Sequence, residues 1–250
     1  MDDQIRAAAE ALAGRRNILV FTGAGISTES GIPDFRGPQG VWTRVDPGEF
    51  TIDRYLSSAE TRRRSWEMRA GSGSLDAKPN RAHRAVTRLW KTGRMVGCVT
   101  QNIDGLHQRA GLPGDAVVEL HGNVRRTSCL RCGDRMATTE VLERVSGGEE
   151  DPHCLSCNGI LKTDVVFFGE VLPESAIARA FSMVAEADAV LAIGSTLSVF
   201  PAASVPLEVA RAGDPLVILN QGPTELDDLA AARIERPAGD ALPKLVRALR

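Results

Sequence analysis

The sequence predicts an α/β protein: a doubly wound parallel sheet covered by helices on both faces, with a second, smaller domain. Three observations lead there. Six short β-rich runs, at 17–22, 94–100, 116–120, 164–168, 189–194 and 215–220, alternate with helical stretches. The runs are almost entirely apolar (NILVFT, AVLAIG, PLVILN), as strands buried on both faces require. Two polar segments, 38–79 and 124–160, interrupt that rhythm, and the second holds four of the five cysteines. A chain of 250 residues has room for one sizeable core and a small second module.

The opening MDDQIRAAAEALAGRR has acidic residues and no continuous apolar core, so it does not read as a secretory signal. No later apolar run reaches the roughly 20 residues of a spanning helix. A soluble, cytoplasmic protein is expected. Lys and Arg total 30 against 32 for Asp and Glu, which leaves no overall field to draw in nucleic acid or an anionic membrane.

The first run ends in Gly23-Ala24-Gly25-Ile26-Ser27-Thr28, a glycine-rich strand-to-helix turn of the kind that lets backbone N–H groups approach a pyrophosphate. Thr28 stands where the third glycine of G-x-G-x-x-G would be, so the turn alone fits both a dinucleotide site and an unliganded turn. Residues 38–79 read as helices and a loop, with Arg62-Arg63-Arg64 as a solvated helix face and a flexible GSGSLDAKPN at the end. In PNRAHRAVTRLW, His83 reads as a packing or capping residue. Cys98, inside MVGCVT, is expected to be a buried core thiol, and His107 a structural residue at a helix start. His121 falls immediately before Gly122 at the carboxyl end of a strand, where clefts gather in this fold class; functional and structural readings both stand there.

Cys129-x-x-Cys132 and Cys154-x-x-Cys157 are separated by 21 residues, close to the spacing of a four-thiolate zinc ribbon. Four thiolates complete a tetrahedral shell and leave no position for water, so such a metal stabilises the fold without catalysing. A redox C-x-x-C is the rival reading, and His153 beside Cys154 is an alternative ligand. The 124–160 segment carries about as many acids as bases and gives no strong nucleic-acid signal.

The block GAGISTESGIPDFRG at 23–37 resembles the NAD-binding signature of the sirtuin family, and Thr100-Gln101-Asn102-Ile103-Asp104 resembles the family's T-Q-N-hydrophobic-D segment. His121-Gly122, Phe168-Gly169-Glu170, the stretch from Gly194 to Val199, Asn220 and Ala238 extend the resemblance, to a bacterial-type catalytic core, over nearly the whole chain. Thr163 replaces a proline usual in the family, and Ser195-Thr196 inverts the usual order; loop adjustments alone are expected from either.

The resemblance implies a Rossmann-like NAD-binding domain from 1–37, 80–123 and 161–250, with 38–79 and 124–160 forming the small domain. It implies NAD as a consumed cosubstrate, one structural Zn2+, and removal of acyl groups, acetyl first, from lysines of protein or peptide substrates. His121 is then the general base, with Asn102 beside it in the chemistry. The cofactor would contact Gly23, Ala24, Gly25, Ser27, Thr28, Asp34, Phe35, Arg36, Gln101, Asn102, Ile103, Asp104, Gly194, Ser195, Thr196, Asn220, Gln221, Gly222 and Ala238. Substrate backbone would add as a strand along Val165, Phe167, Phe168, Gly169 and Val199. Trp66-x-x-Arg69 has the spacing but not the tyrosine of the Tyr-x-x-Arg pair found in members that remove succinyl groups, so efficient desuccinylation is not expected. Transfer of ADP-ribose to protein and non-catalytic sensing of NAD or ADP-ribose are the alternatives.

Overall fold

The computed structural model describes residues 2–35, 37, 40–43 and 45–249. Helix α1 (Asp3–Ala11), capped by the Asp2 carboxylate on Gln4 N, leads into β1 (Ile18–Thr22). Short 3₁₀ turns at Ala24–Ile26 and Thr28–Ser30 follow, then α2 (Ile52–Ser57), α3 (Ala59–Gly71), α4 (Arg81–Trp90) and β2 (Met95–Thr100). After α5 (Leu106–Arg109) and β3 (Val117–Glu119) come β4 (Gly122–Cys129), β5 (Arg135–Ala137), α6 (Thr138–Ser146) and β6 (Leu161–Val165). The chain closes with α7 (Glu174–Glu186), β7 (Ala189–Ile193), α8 (Ser204–Arg211), β8 (Leu216–Leu219), β9 (Ala230–Ile234) and α9 (Ala238–Ala248).

Six strands form a parallel sheet in the order β3-β2-β1-β7-β8-β9. Alternation along β1 divides its side chains between two cores. Ile18 and Val20 join α1, α4 and α9 through Ile5, Leu12, Val86 and Leu245, while Leu19 and Phe21 join the α7 and α8 face through Ala180 and Val209. Every residue of β1, β7 and β8 is buried, which explains the continuous apolar runs. Cys98 is fully buried in the first core, and burial pushes its thiol up to about 12.

A second, antiparallel sheet has the order β5-β4-β6 and its own small core, where Trp66 of α3 meets Val141, Leu161, Cys129 and Cys154. This corrects the reading of 164–168 as a strand of the large sheet. Leu161–Val165 pairs with β4, and the sixth parallel strand is β9, which was passed over. Its sequence, AAARI, lies at the sheet edge with only two of five residues buried, so neither β-branched enrichment nor an unbroken apolar run marks it.

No helix among the described residues is long and apolar enough to cross a membrane. GSGSLDAKPN is tied to the body by Arg125, which donates to Leu75 O at 2.7 Å, and by Arg109, which donates to the Ala77 carbonyl.

Candidate active site

Strand order reverses between β1 and β7: β2 and β3 lie on one side, β8 and β9 on the other. A crevice therefore opens at the carboxyl ends of β1 and β7. There the loop after β1 presses on the loop after β7. A Cβ on Gly23 would lie 2.7 Å from Gly194 O, and one on Gly25 2.7 Å from Gly194 Cα, so only glycines permit this approach. Their amides are spent on it as well: Gly23 N donates to Ile193 O at 2.9 Å and Gly25 N to Gly194 O at 2.8 Å. The cradle of glycine N–H groups expected for a phosphate is thus narrower than the sequence suggested. Ala24 N–H is the amide between them that has no acceptor among the described residues.

Beneath this loop lies a buried polar network. Ser27 Oγ donates to Asp104 Oδ2 at 2.7 Å and accepts from Asn102 Nδ2 at 3.2 Å, and the same amide reaches Gly23 O at 3.1 Å. Asp104 also accepts Leu106 N at 2.8 Å, fixing the turn into α5. Asn102 Oδ1 accepts no hydrogen bond from the described residues. His83 closes the capping box of α4 by accepting Asn80 N on Nδ1, so its proton sits on Nε2, 3.4 Å from Ser27 Oγ. His107 Nε2 meets Thr22 Oγ1 at 2.9 Å, and that hydroxyl donates to Thr100 Oγ1. Burial holds His83 down to about 2 and His107 to about 4, so both rings are neutral. The structural readings of both histidines hold. Sequence reading gave no role to Thr22 or Thr100, each the one polar residue of its strand.

His121 sits at the corner between the two sheets. Gly122 turns the chain there with φ +76°, and a Cβ on it would lie 1.7 Å from Asp164 O, so no other residue fits. Leu120 N bonds Thr100 O at 2.9 Å and Val166 N bonds His121 O at 2.9 Å, clamping the corner from both sides. His121 Nδ1 lies 3.0 Å from the Gln101 carbonyl, so Nδ1 carries the proton of the neutral ring and Nε2 keeps its lone pair. Burial lowers its pKa from the usual value, opposed by that same hydrogen bond. The result is a neutral imidazole, fixed in tautomer, at the mouth of the crevice. Gln101 also spans to the other side, donating from Nε2 to Ser195 Oγ at 2.8 Å.

The remaining predicted residues ring this centre at varying distance. Ile103, half-buried, accepts Val124 N at 2.8 Å. Thr28 Oγ1 donates to Gly25 O at 3.1 Å, and Thr196 Oγ1 meets Ser198 Oγ at 2.9 Å. Asn220, at the end of β8, donates to Gln221 O and Gly222 O. Ala238 opens α9, whose Gly239 N donates to Glu29 Oε1 at 2.7 Å and so docks that helix on the first loop. Asp34 spends Oδ1 on Gly37 N at 2.9 Å, and Phe35 is 38 % exposed. Arg36 lies outside the described residues.

Along the second rim, Phe168 N bonds Phe50 O at 2.9 Å and Ile52 N bonds Phe168 O at 3.0 Å. Phe167 is buried edge-on against Tyr55, while Phe168 is 51 % exposed. Val165 O and Phe167 N are taken by side chains, Lys162 and Glu170. The Val166 carbonyl and the Gly169 N–H have no partner among the described residues. Val199 turns its carbonyl inward to Ala203 N at 2.8 Å.

The four paired cysteines converge with every Sγ within 4.8 Å of the others. Cys129 and Cys157 lie 3.5 Å apart and Cys132 and Cys154 3.7 Å apart. Thiolates about 2.3 Å from a tetrahedral zinc lie about 3.8 Å apart, so the geometry fits. Arg131 N points at Cys129 Sγ at 3.4 Å. His153 turns Nδ1 to Asn158 O at 3.1 Å, away from the cluster, and is no ligand. Arg62 is not part of a solvated face: it is buried, and its Nε and Nη2 grip Asp151 at 2.8–3.0 Å, joining α3 to the ribbon. Arg63 and Arg64 are exposed and paired with Glu150 and Glu60. Arg69 is buried between the rings of Trp66 and Phe167, about 5.9 and 5.8 Å from their centroids. Thr163 lies inside β6, not in a loop, and its buried Oγ1 has no hydrogen-bond partner among the described residues.

Fold and site together define a Rossmann-like α/β protein with a four-thiolate ribbon and a polar crevice at its switch point. The Sir2 family model matches residues 23–201. NAD-dependent protein deacetylase 2 of Streptomyces coelicolor is 44 % identical over 240 residues, covering 95 % of this chain and 100 % of that protein. NAD-dependent protein deacylase 2 of Archaeoglobus fulgidus is 41 % identical over 248 residues, covering 98 % and 96 %. A solved structure of Sir2 with a p53 peptide and NAD+ superposes with a TM-score of 0.87 at 37 % identity, over 99 % of this chain and 98 % of that one. The chain belongs to the Sir2 family.

Proposed function

We propose that this protein removes acyl groups, acetyl first, from lysine side chains, consuming NAD and water and releasing nicotinamide, free lysine and O-acyl-ADP-ribose. The observation that carries this reading is His121: a neutral imidazole with Nδ1 held by the Gln101 carbonyl and Nε2 free as a base, between the crevice and the edge that offers Val166 O. NAD supplies an activated glycosidic carbon with nicotinamide as its leaving group. His121 Nε2 takes a proton from a ribose hydroxyl. Asn102 Oδ1 and the Asp104 carboxylate, both fixed by Ser27, orient the polar groups at the crevice floor. Ala24 N–H, Gln101 and Ser195 would hold the phosphates and the adjoining ribose, with Asn220 to Gly222 and Ala238 at the adenosine end. Phe35 covers the reacting centre and excludes water.

The acyl-lysine strand lies along 165–169, its side-chain amide donating to Val166 O. The large sheet with 1–37, 80–123 and the chain after β6 forms one domain, and 38–79 with 124–160 and the paired strand Leu161–Val165 the other. Zinc, held by the four cysteines, closes the ribbon and takes no part in the chemistry. Support for an acetyl preference comes from Arg69, whose guanidinium is stacked on Trp66 and Phe167. The test is peptide-dependent nicotinamide release, with acetyl-lysine and succinyl-lysine peptides compared and His121→Ala as control. Release with the acetyl peptide alone, lost in the control, supports the reading; release without any acyl peptide, with ADP-ribose appearing on protein, overturns it.

A further inference from the structure

Lys162 is buried, 6 % exposed, on a strand of the ribbon sheet, and nothing in the chemistry above uses it. A buried ammonium is costly unless its charge and all its protons are satisfied. Here they are satisfied by one short segment. Nζ pairs with Glu170 Oε2 at 3.0 Å, donates to Val165 O at 2.7 Å and to Thr163 O at 3.2 Å, and lies 4.9 Å above the Phe167 ring centroid. The same Glu170 oxygen accepts Phe167 N at 2.7 Å.

We propose that the Lys162–Glu170 pair is the positioning element of the acyl-peptide edge, setting which backbone groups of 165–169 remain available to the substrate. Four of that segment's groups that an incoming strand would otherwise compete for are already committed. Val165 O is held by Lys162, Phe167 N by Glu170, and Phe168 N and O by Phe50 and Ile52. The Val166 carbonyl and Gly169 N–H are left, and Phe167 is drawn inward against Tyr55 while Phe168 stays at the surface. An edge with all its groups open would accept a strand in more than one register; two remaining groups, three residues apart, accept one. Val166 N also bonds His121 O, so the edge stays anchored beside the base through a contact that the Lys162–Glu170 pair does not make.

The inference rests on the functional reading above, and the test separates the two. Binding of an acetyl-lysine peptide and of NAD is measured directly by calorimetry, with steady-state kinetics alongside, for wild type, Lys162→Met, Lys162→Arg and Glu170→Gln. The expected result is a rise of about tenfold in peptide Kd and KM for Lys162→Met and Glu170→Gln. NAD affinity and kcat at saturating peptide should stay within about twofold of wild type, and Lys162→Arg should recover most of the peptide affinity. The double variant Lys162→Met, Glu170→Gln should be no weaker than either single one, because the two act as a unit. Peptide affinity unchanged in both single variants overturns the proposal, as does an equal loss of NAD and peptide affinity. A wild-type protein that binds no acyl-lysine peptide overturns the functional reading beneath it instead.

Discussion

At the scale of single residues, His121 shows how a side chain acquires a role from its backbone. The Gln101 carbonyl fixes the tautomer and burial removes the charge. Protonation of Nε2 would abolish the base, so activity falls as pH drops through the folded-state pKa, which lies below the ordinary imidazole value. The acid limb of kcat/KM is therefore expected below pH 6.5, and His121→Ala should cost about 10²–10⁴ in rate. A limb at or above 6.5 would contradict the assignment. Thr163 offers a stability test at the same scale. Its buried hydroxyl has no partner among the described residues, and such a group costs about 1–3 kcal/mol. Thr163→Val should raise stability by about 1 kcal/mol in denaturant titration, and a loss would show that the hydroxyl is satisfied in solution. The metal ligands were legible because C-x-x-C spacing is a local signal. The Ser27–Asp104 contact was not, because it joins residues 77 apart through a fold that must exist first.

Among the elements, the buried central strands announced themselves, since burial on both faces demands an unbroken apolar run. The edge strand β9 did not, because half its surface faces solvent, and 164–168 misled because its two phenylalanines are apolar for different reasons. Phe167 packs beside Tyr55, and Phe168 is exposed on the crevice rim. Charge patterning misled in the same way at Arg62, where three consecutive arginines hid one that is buried. Its grip on Asp151 joins α3 to the ribbon, with both side chains under 15 % exposed. Removing one partner of such a pair leaves the other charge uncompensated. Arg62→Met should cost about 3 kcal/mol by chemical unfolding. A loss below about 0.5 kcal/mol would make the pair a surface-type contact.

On the scale of the whole molecule, two neutral histidines under the crevice make the fold acid-sensitive. His83 is held to about 2 and His107 to about 4, against 6.5 for a free ring. The unfolded chain thus binds protons that the folded one does not, and stability is lost as pH falls below 6.5. Each ring withdraws up to about 1.4 kcal/mol per pH unit until its folded pKa is reached. Unfolding free energies at pH 7 and pH 5 should show this decline, and His83→Gln should make it shallower; a flat profile would contradict it. Two cores on the faces of one sheet, a third around the cysteines, and a switch point between β1 and β7 place base, crevice and peptide edge together. The most direct test of that convergence is a mass balance by mass spectrometry on purified protein with NAD and an acetyl-lysine peptide. One nicotinamide and one O-acetyl-ADP-ribose per lysine freed is the predicted result; lysine freed with NAD intact, or ADP-ribose accumulating on protein with the acetyl group retained, would contradict it.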